Sequence, residues 1–273
     1  MIKYFISQFS EQIFRERLSK YDNLSLSICL DHRPKQEDLS QRNIIILQEP
    51  EIYFSHGHWV LQNSNLFDLI LTHNDFLINR LPNVSLMPFG ATWFLPEHYA
   101  TRYRKEFKVA HLCGKLLLTY GHSIRHEILN RQEEILDKIP RKFYNVFGDR
   151  YDIPNARLGK LEVFGDCQYG ICIENSSSNG YFTEKILDCF LLRTVPIYWG
   201  CSNIEKFFNP DGIISISNAD EAIRKINLLN ENYYATLVED GIIEENYQLA
   251  LKYVSYENNI CDKIEKWIKE NGL

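Results

Sequence analysis

The chain has 273 residues, of which 45% are hydrophobic and 24% charged, a composition typical of globular proteins and not of disordered ones. Its formal charge of -6 argues against a general nucleic-acid or anionic-membrane binder, although one local basic pocket for a small anion remains compatible with it. No run of about 18 apolar residues occurs, and the N-terminus becomes polar too soon for a signal peptide. We therefore expect a soluble, cytoplasmic protein with no integral membrane segment.

The seven cysteines are odd in number and widely spaced, and no CxxC pair occurs among them. Most of them lie in apolar stretches, such as Cys189 beside Phe190. This pattern predicts reduced, mostly buried thiols in a reducing compartment.

Short apolar runs alternate with helical patterns at the start of the chain, which predicts an α/β fold. Residues 1–8 are typical of a first strand, and residues 11–20 of a helix. Four further strands are predicted at residues 25–30, 43–47, 67–72 and 84–87, and the Pro-Phe-Gly sequence at 88–90 interrupts the pattern after them.

The segment 93–107 is aromatic and charged without clean periodicity, and we place the domain boundary there. The prediction is an N-terminal, acceptor-side domain of residues 1–105 and a C-terminal donor domain of residues 106–273. The amphipathic helix predicted at residues 261–271 is expected to pack back on a domain.

The second half repeats the alternation of strands and helices. A helix is predicted over residues 125–139, with an apolar stripe that includes Ile128 and Ile135. Strands are predicted at residues 115–119, 144–147, 169–173 and 195–199.

The stretch from 173 to 200 is the most informative, because it places many polar residues in one strand–loop–helix–strand unit. Thr183, Glu184 and Lys185 open the helix, and the amides of a helix start that follows a strand bind anions. Lys185 in the first turn opposes the helix dipole unless an anion lies there. The alternative is an ordinary Thr-capped helix with a solvated Glu–Lys pair, and spacing alone leaves it open.

Arg125 is the second basic candidate, at the predicted turn after the strand 115–119. In a parallel sheet this turn lies at the same carboxyl edge as the loop before Lys185. The bidentate guanidinium and the compact ammonium would together bind a diphosphate. The alternative is an arginine on the exposed side of a helix start.

Glu49 is the acid/base candidate, because it directly follows the strand 43–47 and a carboxylate there faces the crevice of an open α/β sheet. Glu51 is its nearest competitor. His56 and His58 form a His-Gly-His triplet, but without nearby Cys or Asp ligands it is a weak metal signal. No Asp-x-Asp sequence occurs in the chain.

These motifs resemble the donor-binding region of the α1,3/α1,4-fucosyltransferases, glycosyltransferase family ten. The resemblance is specific over residues 160–216 and looser around residues 123–129 and Gln48-Glu49-Pro50, and Ile173 departs from the phenylalanine of the family motif. The residues that carry it are Lys160-Leu161-Glu162, Tyr169, Ile173-Glu174-Asn175-Ser176, Tyr181-Phe182-Thr183-Glu184-Lys185, Val195-Pro196-Ile197-Tyr198-Trp199-Gly200 and Phe208-Asn209-Pro210.

The resemblance implies a GT-B fold, with two Rossmann-like domains facing a central cleft. It also implies an inverting transfer of fucose from GDP-fucose to a glycan hydroxyl, with an α1,3-type linkage and without an essential metal or cofactor. The expected partners are therefore a nucleotide-sugar donor and a glycan acceptor.

Site roles follow from the same resemblance. Arg125 and Lys185 are expected to bind the diphosphate, and Glu184 the ribose. Glu49 is expected to act as general base, with Glu51 as the fallback. The remaining expected donor-binding residues are Lys160, Asn175 and Tyr181.

Two other functions remain open at this point. One is a GT-B transferase that uses another nucleotide sugar, and the other is a non-catalytic nucleotide-sugar or glycan-binding protein. Glu49 discriminates between them, since a binding protein has no need of a carboxylate at that strand end.

Overall fold

A computed structural model describes residues 2–6, 8–51, 55–145 and 156–273, with the backbone alone at 8–10 and 156–158. Contacts divide the chain into two units. Unit 1 comprises Met1–Phe89, Ser178–Tyr181 and Ser255–Leu273, and unit 2 comprises Gly90–Ser177 and Phe182–Val254.

Unit 1 is built on a five-stranded parallel sheet whose strands follow one another in chain order. The strands are β1 (Ile2–Phe5), β2 (Leu26–Leu30), β3 (Arg42–Leu47), β4 (Leu69–Thr72) and β5 (Val84–Leu86). The five strands predicted for this region are confirmed, with small shifts at their ends.

Helices cover both faces of this sheet, which explains why β3 is apolar at successive positions. Ile44 and Ile46 point to one face and Ile45 and Leu47 to the other, as the period of a strand requires. The first face packs on α1 (Gln8–Leu18) and α11 (Tyr256–Glu270), and the second on α2 (His56–Gln62) and α3 (Asp75–Ile78).

The last helix, α11, lies within unit 1. Its Ile264 and Ile268 are fully buried beside Phe14 of α1. Arg17 of α1 donates to Asp262 at 2.6 Å and to Glu265 at 3.1 Å across the same contact.

Unit 2 contains a second five-stranded parallel sheet, in the order β7-β6-β8-β9-β10. The strands are β6 (Glu106–Cys113), β7 (Arg141–Asn145), β8 (Cys167–Ile173), β9 (Val195–Trp199) and β10 (Ile214–Ser215). Counted within the unit, this order is 2-1-3-4-5, which is the flavodoxin-like doubly wound arrangement. The strand order reverses between β6 and β8, and ligands of such sheets bind outside the carboxyl ends of the strands at this point.

The helices of unit 2 lie on both faces of its sheet. The helices are α4 (Pro96–Ala100), α5 (Tyr120–Asn130), α6 (Ala156–Phe164), α7 (Glu184–Leu191), α8 (Ala219–Asn227), α9 (Glu231–Glu239) and α10 (Ile242–Ala250). Ile171 and Ile173 of β8 pack towards α5 and α8, whereas Cys172 packs towards α6, α7 and α10.

The strand predicted at residues 115–119 is wrong. The strand that enters the sheet is β6, which ends at Cys113, and Val109 and Ala110 within it are fully buried. Leu117 and Leu118 are instead 64% and 65% exposed. The run is apolar, but it lies beyond the carboxyl end of β6 and is exposed among the described residues.

The helix predicted over residues 125–139 has wrong bounds. The helix α5 begins earlier because the Thr119 hydroxyl accepts the His122 amide as an N-cap, and it ends at Asn130. Ile135 and Ile139 lie in an irregular segment after the helix and are buried there, so their spacing resembles a helical stripe without forming one.

Of the strand predicted at residues 144–147, the positions 146–147 lie outside the described residues.

The contacts place residues 90–105 with unit 2, whereas the sequence-based boundary follows residue 105. The reason is packing, because Phe94 is buried in the unit 2 core and Tyr99 and Tyr103 pack against the same cluster. Because the aromatic residues of this segment show no helical periodicity, the sequence did not reveal which of the two hydrophobic cores they join.

All seven cysteines are buried thiols, as predicted. None of the helices in the described part of the chain is long and apolar enough to cross a membrane.

Candidate active site

A cavity of about 260 Å³ opens in unit 2 at the point where the strand order reverses. The strands contribute apolar side chains to its lining, including those of Leu112 and Ile171. Four predicted donor-binding residues also line it, namely Arg125, Lys160, Glu184 and Lys185. The structure thus brings together side chains that are far apart in the sequence and that carry both signs of charge.

Glu174 organises the loop between β8 and α7. It directly follows β8, is fully buried, and its carboxylate accepts the Thr183 amide at 2.9 Å and the Thr183 hydroxyl at 2.7 Å. Burial raises the pKa of Glu174, and the nearby Lys185 ammonium opposes that effect. Sequence analysis missed this role, because it named Glu174 only as part of the Ile-Glu-Asn-Ser motif. A carboxylate at the end of a buried strand is itself a signal of a buried polar network.

Thr183 caps α7, and the cap coexists with a charged pair that faces the cavity. The Thr183 hydroxyl accepts the Lys185 amide at 3.4 Å. The Lys185 ammonium lies 3.2 Å from Glu184 and 3.5 Å from Glu174. The Glu184 and Lys185 side chains are 23% and 21% exposed, so the pair is not a solvated one.

Both members of this pair are ionised. Burial opposes the charge of Lys185, but the Glu184 and Glu174 carboxylates outweigh it and raise the pKa of Lys185. Burial likewise opposes the charge of Glu184, yet the Lys185 and Lys160 ammonium groups hold the pKa of Glu184 at about 2. An ionised carboxylate accepts hydrogen bonds from hydroxyl groups, and an ammonium donates them to anions.

Arg125 lies in the second turn of α5 and points into the cavity, not to the exposed side of the helix. Its guanidinium donates to the side-chain oxygen of Asn175 at 2.5 Å, so Asn175 holds Arg125 in place. This contact requires α5 to lie close to the end of β8. Gly121 permits that approach, because an added Cβ would lie 1.9 Å from the backbone oxygen of Glu174.

Lys160 on α6 forms an ion pair with Asp188 at 2.5 Å. The other Asp188 oxygen accepts the Thr92 hydroxyl at 2.6 Å, and the Lys160 ammonium lies 5.8 Å from the Trp93 ring centre. Despite burial, Asp188 keeps the pKa of Lys160 above its ordinary value. Sequence reasoning missed Asp188, because a lone aspartate within an apolar helix does not reveal its partner.

Tyr181 is assigned to unit 1 and not to the unit that holds the cavity. It is buried, and its ring centre lies 4.8 Å from that of His73. The neighbouring Asn179 donates to Asp75 at 2.5 Å within the same unit. The donor-binding role of Tyr181 stays a prediction.

Glu49 is exposed at the carboxyl end of β3, as the sequence predicts, and its backbone amide donates to Asp31 at 3.2 Å. Glu51 differs, because both of its carboxylate oxygens accept the Gly57 amide at the start of α2, at 3.1 and 3.0 Å. Since Glu51 already serves as a helix cap, the geometry favours Glu49 as the base, and that role stays a prediction. Within the described residues, no three His, Cys, Asp or Glu side chains converge on a point that would hold a metal ion.

Two buried histidines support α5 behind Arg125. His111 is fully buried and its Nε2 lies 3.0 Å from the backbone oxygen of Arg125, while Nδ1 of His122 accepts the Thr119 amide at 3.1 Å. Burial lowers the pKa of each histidine to about 4, and the Arg125 charge adds to the effect. Both imidazoles are therefore neutral at pH 7.

We expect the protein to lose stability between pH 6.5 and pH 4. The folded pKa of His111 lies below its unfolded value, so in this window the unfolded chain binds more protons and acid favours unfolding. The full loss from His111 is of the order of 3 kcal/mol. Melting temperatures measured across this pH range should fall less steeply for His111→Gln than for the parent. Exposed His58 provides the control, and an equal change of slope in His58→Gln would contradict the assignment.

Comparison with solved structures first defines the class of fold. The crystal structure of an α1,3-fucosyltransferase with GDP-fucose superimposes with a TM-score of 0.58, at 17% identity over 95% of this chain and 89% of that one. Anabaena HepE in complex with UDP and glucose also gives a TM-score of 0.58, at 11% identity over 97% of this chain and 83% of that one. The predicted GT-B fold is confirmed.

The family model matches part of the chain. Residues 132–237 match the model of glycosyltransferase family 10 (fucosyltransferase) C-term. An α-(1,3)-fucosyltransferase of Helicobacter pylori is 37% identical over 124 residues, which are 44% of this chain and 24% of that protein. The chain thus matches about a quarter of that relative, and the predicted resemblance is confirmed for the donor-binding region. Arg125 and Glu49 lie outside the segment that the family model matches.

Proposed function

We propose that this protein is an inverting fucosyltransferase, which transfers L-fucose from GDP-fucose to a hydroxyl of a glycan acceptor. An α1,3-type linkage and independence of an essential metal are part of the proposal. The observation that carries it is the cavity where the strand order reverses, into which Arg125, Lys160 and Lys185 all project. The family match and the GDP-fucose bound in a structural neighbour support the choice of donor.

The cavity residues take complementary roles towards the donor. Arg125 and Lys185 bind the diphosphate, one through a planar fork and the other as a compact charge. Lys160 adds a third positive charge, held by Asp188. Glu184, whose pKa is about 2, is ionised and accepts hydrogen bonds from the ribose hydroxyls.

The reaction follows from these roles. The acceptor oxygen attacks the anomeric carbon of fucose, its proton passes to the Glu49 carboxylate, and the bond from that carbon to the GDP oxygen breaks with its electrons leaving on GDP. Arg125 and Lys185 stabilise the charge that develops on the diphosphate. Since attack and departure occur on opposite faces of the sugar, the configuration inverts.

Nucleotide binding tests this proposal directly. A ligand that binds only the folded chain stabilises it, by about 2.7 kcal/mol at a hundred times its Kd. We therefore expect GDP to raise the melting temperature, with EDTA present, and UDP at the same concentration to leave it unchanged. Stabilisation by UDP and not by GDP would contradict the donor assignment.

Removing the Lys185 charge is expected to weaken GDP binding. A hydrogen bond to a charged group contributes about 1.5–3 kcal/mol, so Lys185→Ala should raise the Kd for GDP roughly 10- to 100-fold. Calorimetric titration measures this change. Lys206→Ala is the matched control, because Lys206 is an exposed lysine of the same unit. Equal affinities for GDP in the two variants would remove Lys185 from the site.

A GT-B transferase with another donor is the second candidate, since HepE, whose structure holds UDP and glucose, shares the fold. The nucleotide comparison above separates the two. A non-catalytic binding protein would bind GDP but would show no turnover with any acceptor, which a screen of glycan acceptors with GDP-fucose detects.

A further inference from the structure

Asp31 stands directly after β2, beside the chain that leaves β3. The two strands pair with Leu30 opposite Ile46, and the Asp31 amide donates to the Ile46 oxygen at 2.9 Å. The backbone then turns sharply, because Asp31 has a φ of 45°. Aspartate tolerates this left-handed conformation better than most residues that carry a side chain.

The turn aims the Asp31 carboxylate at the backbone that carries Glu49. It accepts the Gln48 amide at 2.9 Å and the Glu49 amide at 3.2 Å. Both amides belong to residues beyond the end of β3, where the ladder with β2 has stopped. Hydrogen bonds to an ionised acceptor are stronger than neutral ones, so Asp31 restrains the position of Glu49.

The Asp31 carboxylate is ionised at neutral pH. Burial raises the pKa of Asp31 to about 6, although both amides lower it, and the Glu49 carboxylate raises it further. At pH 7 most of the protein therefore holds the Gln48 and Glu49 amides through a charged acceptor.

The other charged groups around this loop are held in contacts of their own. Arg33 donates to Nδ1 of His56 at 3.1 Å, and Glu51 accepts the Gly57 amide. His32 lies 3.7 Å from Asp38.

We propose that Asp31 is the positioning residue of Glu49, which fixes the backbone of the base by accepting its amide and that of the preceding residue. The inference rests on the proposed function, in which Glu49 accepts the proton of the acceptor hydroxyl. Asp31 itself touches neither substrate nor reacting atoms.

Two substitutions test this role. Asp31→Asn keeps an oxygen that accepts both amides and tolerates the left-handed backbone, but it removes the charge. Asp31→Gly fits the same backbone and removes the acceptor as well. Asp68→Asn is the matched control, because Asp68 accepts the Asn43 amide at the opposite end of β3, at 2.8 Å.

The experiment measures turnover and GDP affinity in the full chain at neutral pH. We expect Asp31→Gly to lower kcat at least tenfold with an unchanged Kd for GDP. Asp31→Asn, which keeps the acceptor, should retain most of kcat, and Asp68→Asn should leave kcat unchanged. Parental kcat in Asp31→Gly, or an equal loss of kcat in Asp31→Asn and Asp31→Gly, would overturn the inference.

One readout does not depend on turnover. Amide exchange at Gln48 and Glu49 should become at least tenfold faster in Asp31→Gly, whereas Asp68→Asn should leave it unchanged. Unchanged exchange in Asp31→Gly would overturn the inference even in a protein without activity. Parental turnover in Glu49→Gln would instead show that Glu49 is not the general base. This result distinguishes a failure of the proposed function from a failure of the role of Asp31.

Discussion

Glu49→Gln is expected to lower kcat about 10²–10⁴-fold, the range that a positioned general base contributes. Glutamine preserves the size of the side chain but does not accept the proton of the attacking hydroxyl. The proposed GDP contacts do not include Glu49, so the Kd for GDP should change less than twofold. Steady-state turnover with GDP-fucose and calorimetric titration with GDP measure the two quantities.

Glu51→Gln is the control for this experiment. Glutamine keeps an oxygen that accepts the Gly57 amide, so the cap of α2 survives and turnover should stay near the parental rate. The reverse outcome, in which Glu51→Gln loses turnover and Glu49→Gln keeps it, would move the base to Glu51.

Among the substitutions considered for this protein, Gly121→Ala should cause the largest loss of folding stability. The added Cβ would lie 1.9 Å from the backbone oxygen of Glu174 and 3.0 Å from Cζ3 of Trp199, so α5 or β8 must move. Alanine is the better helix former by about 1 kcal/mol, so helix propensity alone would favour the substitution. Overpacking typically costs about 1–3 kcal/mol, and more where backbone must move.

The same displacement should separate Arg125 from Asn175, and we expect GDP affinity to fall at least tenfold. Urea unfolding and titration with GDP measure the two effects. The control is Glu127→Ala, an exposed position on the same helix. If Gly121→Ala unfolds within 0.5 kcal/mol of the parent, α5 does not approach β8 as described.

Two alternatives from the sequence are resolved by the cavity. Thr183 does cap α7, as the simpler alternative held, but Glu184 and Lys185 are not solvated. Arg125 likewise lines the cavity in place of facing solvent. In both cases local spacing described the helix correctly, while the surroundings of the side chains depended on β6 and β8 lying side by side.

Local patterns in the sequence determined most of the strands, the helix start at Thr183 and the family motif, because apolar periodicity and caps act over a few residues. The strand at Val195–Trp199 is an example. Tertiary structure alone decided where the apolar run after β6 lies, since Leu117 and a buried leucine look alike in sequence.

Tertiary structure also chose the partners of the charged residues. Lys160 with Asp188, Glu174 with Thr183 and Asp31 with the amide of Glu49 are contacts between segments that only folding brings together. The physical reason is that burial makes an unpaired charge unfavourable, so each buried charge must find a partner, and the topology of the two sheets determines which one is within reach.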